Sequence, residues 1–305
     1  MSFFREFCAF CALGLFIGVF GACGADAAVP YKVTLITMDQ MDRYWAGIDE
    51  GAAKAAEELG NVEYKWTAPD VKDNDKQIAF IKNEISEGAD AILLAANGPD
   101  VVTSALEEAA AAGVKLVYVD SPANFPAVAT FTTDNEAAGA TAGRELLKAL
   151  EAVGALEGAV GVVNVNAITA STVAREKGFR KVFEGTKYTL LDTQYGEGDV
   201  TRSAELAAAF IEQGVVGLFG ANEGSSVGVG NAIRDAKRKV PGVGFDTSDA
   251  LRALIEDGHL VATMAQNPRV MGYEGMKAAV AALRGKVVSP EPVDTGVSVL
   301  TKRAM

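Results

Sequence analysis

Residues 116–120 read Leu-Val-Tyr-Val-Asp, a short apolar run that ends in one acidic side chain. Three more apolar runs end in one polar residue in the same way: 159–164, 218–222 and 243–246. Runs rich in Val, Leu and Phe with helical segments between them are typical of parallel strands covered on both faces. In such sheets, ligands bind where the strands end. The sequence therefore predicts one polar cleft, formed by Asp120, Asn164, Asn222 and Asp246.

The alternation of strand-like and helix-like segments runs through the chain twice. A first run extends from about 33 to 119, and a second begins after about 134. We predict an α/β fold of two Rossmann-like lobes, each a parallel sheet flanked by helices, joined by a multi-strand hinge. Extended segments at 129–133 and 260–265 are expected to cross between the lobes. The predicted division is 1–27 as a signal peptide, 28–133 plus 267–293 as the N-terminal lobe, and 134–266 plus 294–305 as the C-terminal lobe.

The N-terminus has the composition of an export signal. Residues 7–23 carry no charge, Arg5 precedes them, and Ala-Asp-Ala at 25–27 fits a cleavage site. We predict cleavage after Ala27 and a location in the periplasm of a bacterium. Two alternatives stay open: a retained membrane anchor, and a lipoprotein attached through Cys23, because Phe-Gly-Ala-Cys at 20–23 resembles a lipobox.

The composition argues against several classes of protein. The formal net charge is −12 and no stretch is strongly basic, so no nucleic acid partner is expected. The first strand is not followed by the Gly-x-Gly-x-x-Gly motif of dinucleotide-binding proteins, and the sequence has no Walker A motif for binding nucleotide phosphates. The glycine-rich run at 224–230 has the wrong spacing and is predicted to pack inside a helix. After cleavage the chain has no cysteine and one histidine, His259, which is expected at the surface. We therefore expect no metal, no cofactor and no enzymatic reaction.

The polar residues suit a ligand that is rich in hydroxyl groups. Carboxylate, amide and guanidinium groups together can accept and donate the hydrogen bonds of a sugar or polyol. Tyr44 and Trp45 follow the first strand, and aromatic rings of this kind cover the apolar face of a sugar ring. The sequence favours binding without chemistry.

Several stretches of the chain occur together in a characteristic order: Asp-Arg-Tyr-Trp at 42–45, Val-Asp at 119–120, Thr-Asp-Asn at 133–135, the Arg-bearing segment 171–179, Ala-Asn-Glu at 221–223, Val-Gly-Phe-Asp at 243–246 and Ala-Thr-Met-Ala-Gln at 262–266. With these stretches the chain resembles the ribose-type periplasmic sugar-binding proteins, which have the type I periplasmic binding protein fold and are relatives of the lactose-repressor core. The likeness covers about residues 31–301.

The resemblance implies roles for eight residues. Tyr44 and Trp45 would stack on the ligand, and Gln266 would also lie at the hinge. The hydrogen-bonding residues would be Asp42, Asp120, Arg175, Asn222, Asp246 and Gln266.

Three positions depart from the family pattern. Asp42 replaces the usual Asn, Ser121 stands where ribose binders place a second Arg, and Gly198 takes the place of an aromatic residue, for which Tyr195 is the candidate substitute. The departures predict a roomier pocket than a ribose site, for a hexose or polyol.

The resemblance implies a monomeric receptor that delivers its solute to an ABC transporter permease with its ATPase. A signalling or chemotaxis receptor on the same fold is one alternative. A secreted carbohydrate-active enzyme that uses paired carboxylates, such as Asp42 and Asp246, is the less favoured one.

Overall fold

The computed structural model describes residues 29–236 and 239–305. The signal peptide predicted at 1–27, with Cys23, lies outside these residues. Within the described part of the chain, no helix combines the length and the hydrophobicity needed to cross a membrane.

The first sheet consists of six parallel strands with helices on both faces. Its strands are β1 (Tyr31–Ile36), β2 (Val62–Thr67), β3 (Ala91–Leu94), β4 (Lys115–Val119), β5 (Ala129–Thr132) and β12 (Pro292–Asp294). The order is β12-β5-β4-β3-β1-β2. One face packs on α1 (Tyr44–Leu59) and α9 (Pro268–Leu283), and the other packs on α2 (Asn74–Ser86) and α3 (Thr103–Ala111).

The second sheet repeats this plan. Its strands are β6 (Gly158–Asn164), β7 (Tyr188–Leu190), β8 (Gln194–Tyr195), β9 (Gly217–Gly220), β10 (Gly242–Phe245), β11 (Ala262–Gln266) and β13 (Val297–Leu300). The order is β13-β11-β10-β9-β6-β7, with β8 paired to β6. The helices are α4 (Asn135–Ala152) and α5 (Ala170–Phe183) on one face, and α6 (Val200–Glu212), α7 (Glu223–Asp235) and α8 (Asp249–Glu256) on the other. The two-lobe α/β fold is confirmed, with one difference: β13 is antiparallel to β11, so this sheet is mixed.

The chain crosses between the sheets three times: after β5, after β11 and between β12 and β13. One strand was expected near 293–300, but there are two strands, one in each sheet. Asp294 pairs with Thr132 in the first sheet, although the predicted boundary assigns it to the second lobe. The other lobe boundaries stay predictions.

Glycines bring two helices of each lobe into close contact. They are Gly51 and Gly272 between α1 and α9, and Gly139 and Gly178 between α4 and α5. A Cβ atom at Gly139 would lie 1.9 Å from the carbonyl oxygen of Arg175, and one at Gly272 would lie 1.9 Å from that of Ile48. Only glycine allows the backbones to approach so closely. The glycine-rich run at 224–230 lies in α7, and Gly228 packs against Ser203 of α6, so the expected helix packing is confirmed.

Candidate ligand-binding cleft

Two aspartates occupy matching places at strand ends in the two lobes. Asp120 follows β4 and Asp246 follows β10, and both are buried. Their φ angles are 64° and 75°, in the left-handed region that side chains with a Cβ disfavour. Such backbone strain clusters at functional sites, where the surrounding structure maintains it. The conformation is therefore consistent with both carboxylates belonging to a binding site.

Arg175 is held from several sides. Its Nε donates to Asn135 Oδ1 at 2.8 Å, and its Nη1 donates to the carbonyl oxygen of Ala221 at 3.0 Å. The guanidinium lies 4.3 Å from the centroid of the Phe245 ring, and its Nη2 is 3.7 Å from Asp120 Oδ1. The side chain is 2% exposed. Arg175 is thus a fixed, buried cation beside the carboxylates.

The aromatic pair stands at the start of α1. The Tyr44 hydroxyl donates to Asp120 Oδ1 at 2.8 Å, and the Trp45 indole N–H donates to Asp39 Oδ2 at 3.2 Å. The two rings pack edge to face, with centroids 5.1 Å apart. Both side chains are buried, and their polar ends are oriented by carboxylates. Their stacking on a solute stays a prediction.

The amide side chains link neighbouring elements. Asn222 caps α7, because its Oδ1 accepts from the Ser225 N–H at 3.0 Å, while its Nδ2 donates to Asp42 Oδ2 at 3.3 Å. Gln266 donates to Asp246 Oδ1 at 2.6 Å and accepts from the Thr133 hydroxyl at 2.8 Å. Thr133 directly follows β5, and Gln266 is the last residue of β11. The hydrogen bond between them therefore joins two of the three crossings.

All eight residues predicted for the site line one cavity: Asp42, Tyr44, Trp45, Asp120, Arg175, Asn222, Asp246 and Gln266. They come from both lobes, on elements far apart in sequence. The cavity has a volume of about 20 Å³, room for roughly one or two water molecules. The structure therefore brings the predicted groups together, and their contact with a solute stays a prediction.

Sequence reasoning missed a buried ion pair in the cleft. Lys72 Nζ lies 3.0 Å from Asp39 Oδ2 and 3.8 Å from Asp42 Oδ2. Burial lowers the pKa of Lys72, but attraction to the two carboxylates outweighs it and raises that pKa. Asp39 lies three residues after β1, so the strand-end pattern could have found it. Lys72 lies in the loop between β2 and α2, where no spacing marks it.

Three expectations about the cleft are corrected. The open space predicted at Gly198 is occupied, because a Cβ there would lie 2.7 Å from Lys72 Nζ. Tyr195 does not replace the missing aromatic: it is 37% exposed and does not line the cavity. Asn164 does not face the cleft either, since its amide donates to Glu176 Oε2 at 2.7 Å within its own lobe.

Three carboxylates of the cleft hold their protons unusually firmly. Burial raises the pKa of Asp246 to about 7 despite the opposing attraction of Arg175. Burial, followed by repulsion from Asp42 and Asp246, raises the pKa of Glu223 to about 8. Burial also raises the pKa of Asp120. Burial thus makes negative charge costly at these three residues.

We expect the contribution of Asp246 to the stability of the solute-free protein to fall as pH rises from about 4 to about 7. The folded protein holds the Asp246 proton more tightly than the unfolded chain, so ionisation in this range favours unfolding. The charged or polar groups that act on Asp246 are Arg175, Gln266, Asp42, Asp120, Glu223 and Tyr44.

The Asp246→Asn variant tests this expectation, because asparagine keeps an acceptor for Gln266. Chemical denaturation measures the change in the free energy of unfolding that the substitution causes. This change should be more favourable at pH 8 than at pH 5, by about 1 kcal/mol or more. An equal effect at both pH values would contradict the raised pKa.

Comparison with known proteins places the chain in a family. Residues 33–287 match the family described as periplasmic binding protein domain. The ribose import binding protein RbsB of Haemophilus influenzae is 27% identical, over 92% of this chain and 95% of that protein. The D-allose-binding periplasmic protein of Escherichia coli is 26% identical, over 90% of this chain and 91% of that protein.

Solved structures agree with the fold. A carbohydrate transporter solute-binding protein from Agrobacterium radiobacter, in complex with D-arabinose, superposes with a TM-score of 0.86 at 27% identity, covering 91% of this chain and 96% of that one. An ABC transporter solute-binding protein from Agrobacterium vitis, bound with α-D-tagatopyranose, gives a TM-score of 0.84 at 26% identity, covering 90% and 95%. With its two lobes and its polar cleft, the chain belongs to the periplasmic binding protein family and is similar to the ribose-type sugar-binding members.

Proposed function

We propose that this protein is the periplasmic solute-binding receptor of an ABC importer, and that it binds a sugar or polyol between its lobes without chemical change. The observation that carries the proposal is the convergence of carboxylate, guanidinium, amide and aromatic groups from both lobes on one cavity. Such a set can satisfy the donors and acceptors of several hydroxyl groups at once. The two relatives described above, which match over 90% to 92% of the chain, are named as a ribose import binding protein and a D-allose-binding periplasmic protein.

The lobes touch across the cleft, which suggests how a solute would be held. Asn222 contacts Asp42, and the Thr169 hydroxyl donates to the carbonyl oxygen of Asn97 at 3.1 Å. A sugar ring is too large for a cavity of about 20 Å³, so it would enter when the lobes separate. A solute that bonds to both lobes would then favour the closed state by differential contact.

A binding screen tests the proposal. Purified protein is heated with sugars, polyols and nucleosides, and a solute at 100 times its dissociation constant should add roughly 2.7 kcal/mol of stability. Calorimetry then gives the affinity, and chromatography should recover the solute unchanged. A solute converted to product, or no stabilisation by any sugar or polyol, would contradict the proposal.

Trp45 supplies an independent signal. It is 3% exposed and lines the cavity, whereas Trp66 lies on β2 and bonds through its indole N–H to the Thr37 hydroxyl. The Trp66→Phe variant leaves Trp45 as the reporter, and its fluorescence should change on titration with a solute that binds.

The predicted signal peptide has its own test. Mass spectrometry of the protein from its native host should find an N-terminus at or near Ala28, or a lipid on Cys23, because an uncharged segment and a cleavage signal precede Ala28. An intact Met1 on a cytoplasmic protein would exclude both forms. The proposed partner is a membrane permease with its ATPase, and the receptor is proposed to be a monomer.

A further inference from the structure

Lys72 places a cation in the wall of the cavity. It lies in the loop between β2 and α2 of the first lobe. It lines both the cavity and an adjoining groove with a volume of about 870 Å³. Its side chain is only 8% exposed. Lys72 is therefore in a position to contact a solute that occupies the cavity.

A fixed carboxylate holds the ammonium group of Lys72 in place. Asp39 Oδ1 accepts from the backbone N–H groups of Met41 and Asp42 at 2.7 and 2.8 Å. Asp39 Oδ2 accepts from the Trp45 indole N–H at 3.2 Å and lies 3.0 Å from Lys72 Nζ. A carboxylate with four partners has little freedom to move, so the ammonium group that it binds is positioned as well.

The ammonium group has more donors than the protein uses. A lysine ammonium carries three N–H groups, all of them donors. Asp39 Oδ2 is within hydrogen-bond distance of Nζ, whereas Asp42 Oδ2 is 3.8 Å away, beyond that distance. Across residues 29–236 and 239–305, no other acceptor is in contact with Nζ. Because a buried donor without an acceptor is unfavourable, the remaining N–H groups are suited to oxygen atoms of a solute.

The second lobe leaves room for this ammonium group. Gly198 lies in the loop between β8 and α6, and a Cβ atom there would be 2.7 Å from Lys72 Nζ. A larger residue at position 198 would therefore displace Lys72. The part of the cavity wall next to Gly198 thus presents hydrogen-bond donors instead of an apolar surface.

We propose that Lys72 is a further solute-binding residue that determines specificity, and that its ammonium group donates a hydrogen bond to one hydroxyl oxygen of the solute. A site built to bond a hydroxyl group rejects the analogue that lacks it, because the buried donor is then left unpaired. The inference rests on the proposed function and adds the chemical feature by which the cleft selects its solute.

A double-mutant cycle between Lys72 and the solute tests the inference. The probes are D-ribose, D-allose, D-galactose and D-sorbitol, each with its monodeoxy analogues, titrated by calorimetry at pH 7. For at least one parent, removal of one hydroxyl group should weaken binding to the wild type by about tenfold or more. Lys72→Met keeps a side chain of similar length but has no donor. In this variant the same removal should weaken binding by about threefold or less.

Two further variants distinguish contact with the solute from support of the cleft. Lys72→Met leaves Asp39 buried without its cation, which lowers stability. The double variant Asp39→Asn with Lys72→Met removes both charges, and it should show the same loss of discrimination. Lys76→Met is the matched control, because Lys76 is exposed, pairs with Asp70 and does not line the cavity. It should discriminate between parent and analogue as the wild type does.

The outcomes separate this inference from the function on which it rests. If Lys72→Met weakens a parent and all its analogues by one common factor, Lys72 supports the cleft without contacting the solute. The inference then fails and the receptor function stands. The same conclusion holds if none of the four parents binds but another sugar or polyol does. If no sugar or polyol binds, both fail.

Discussion

Replacing Arg175 with alanine should weaken solute binding by about 100-fold or more and lower the free energy of unfolding by about 3 kcal/mol. The guanidinium is buried beside Asp120 and Asp246, and it also donates to Asn135 and to the backbone of Ala221. Its removal leaves buried carboxylates without a cation and two acceptors without their donor. Calorimetry gives the affinity, and denaturation monitored by circular dichroism gives the stability.

Arg175→Lys is the matched control. Lysine keeps the positive charge but lacks the planar fork that reaches Asn135 and Ala221 together. The affinity and stability of Arg175→Lys should therefore lie between those of the wild type and those of Arg175→Ala. An Arg175→Ala protein that folds and binds with unchanged affinity would show that Arg175 is not part of the site.

Replacing Gly139 with alanine should destabilise the second lobe by about 3 kcal/mol. The added methyl group would overlap the carbonyl oxygen of Arg175, so α4 and α5 must move apart. Because Arg175 lies on α5, the movement should also displace its side chain and weaken binding. Thermal denaturation and calorimetry on the same samples measure both effects.

Ala137→Ser is the control for this substitution, because Ala137 lies in the same helix and is exposed. It should leave stability and affinity near the wild-type values. Gly272→Ala introduces the equivalent overlap between α1 and α9 of the other lobe and should match the loss of stability. If Gly139→Ala were as stable as Ala137→Ser, the close helix contact would be refuted.

The fold was predictable from the sequence because its signals are local. Most parallel strands in the middle of the sheets are short apolar runs, and the helices between them have apolar faces. The same rule located Asp120 and Asp246, because a parallel sheet places all its strand ends at one edge. The aromatic pair was found from its place after the first strand, and the resemblance to a family with those residues in that order gave the pair and Arg175 their roles.

Features that depend on contacts between distant segments could not be read in this way. Lys72 belongs to the cleft because the loop before α2 brings it next to Asp39 and Gly198, and nothing near it in the sequence marks that contact. The division of 292–300 into β12 and β13 is set by which sheet edge each half reaches. The left-handed backbone at Asp120 and Asp246 likewise comes from the surrounding structure.

The three crossings mean that neither lobe is a continuous piece of chain. The core beside α1 includes Met271, Met276 and Val280, which are supplied by α9 near the end of the sequence. Almost the whole polypeptide must therefore be synthesised before the hydrophobic core of the first lobe can be completed. We expect the two lobes to mature together rather than one after the other, and a single proteolytic cut between them should not yield an autonomous fragment.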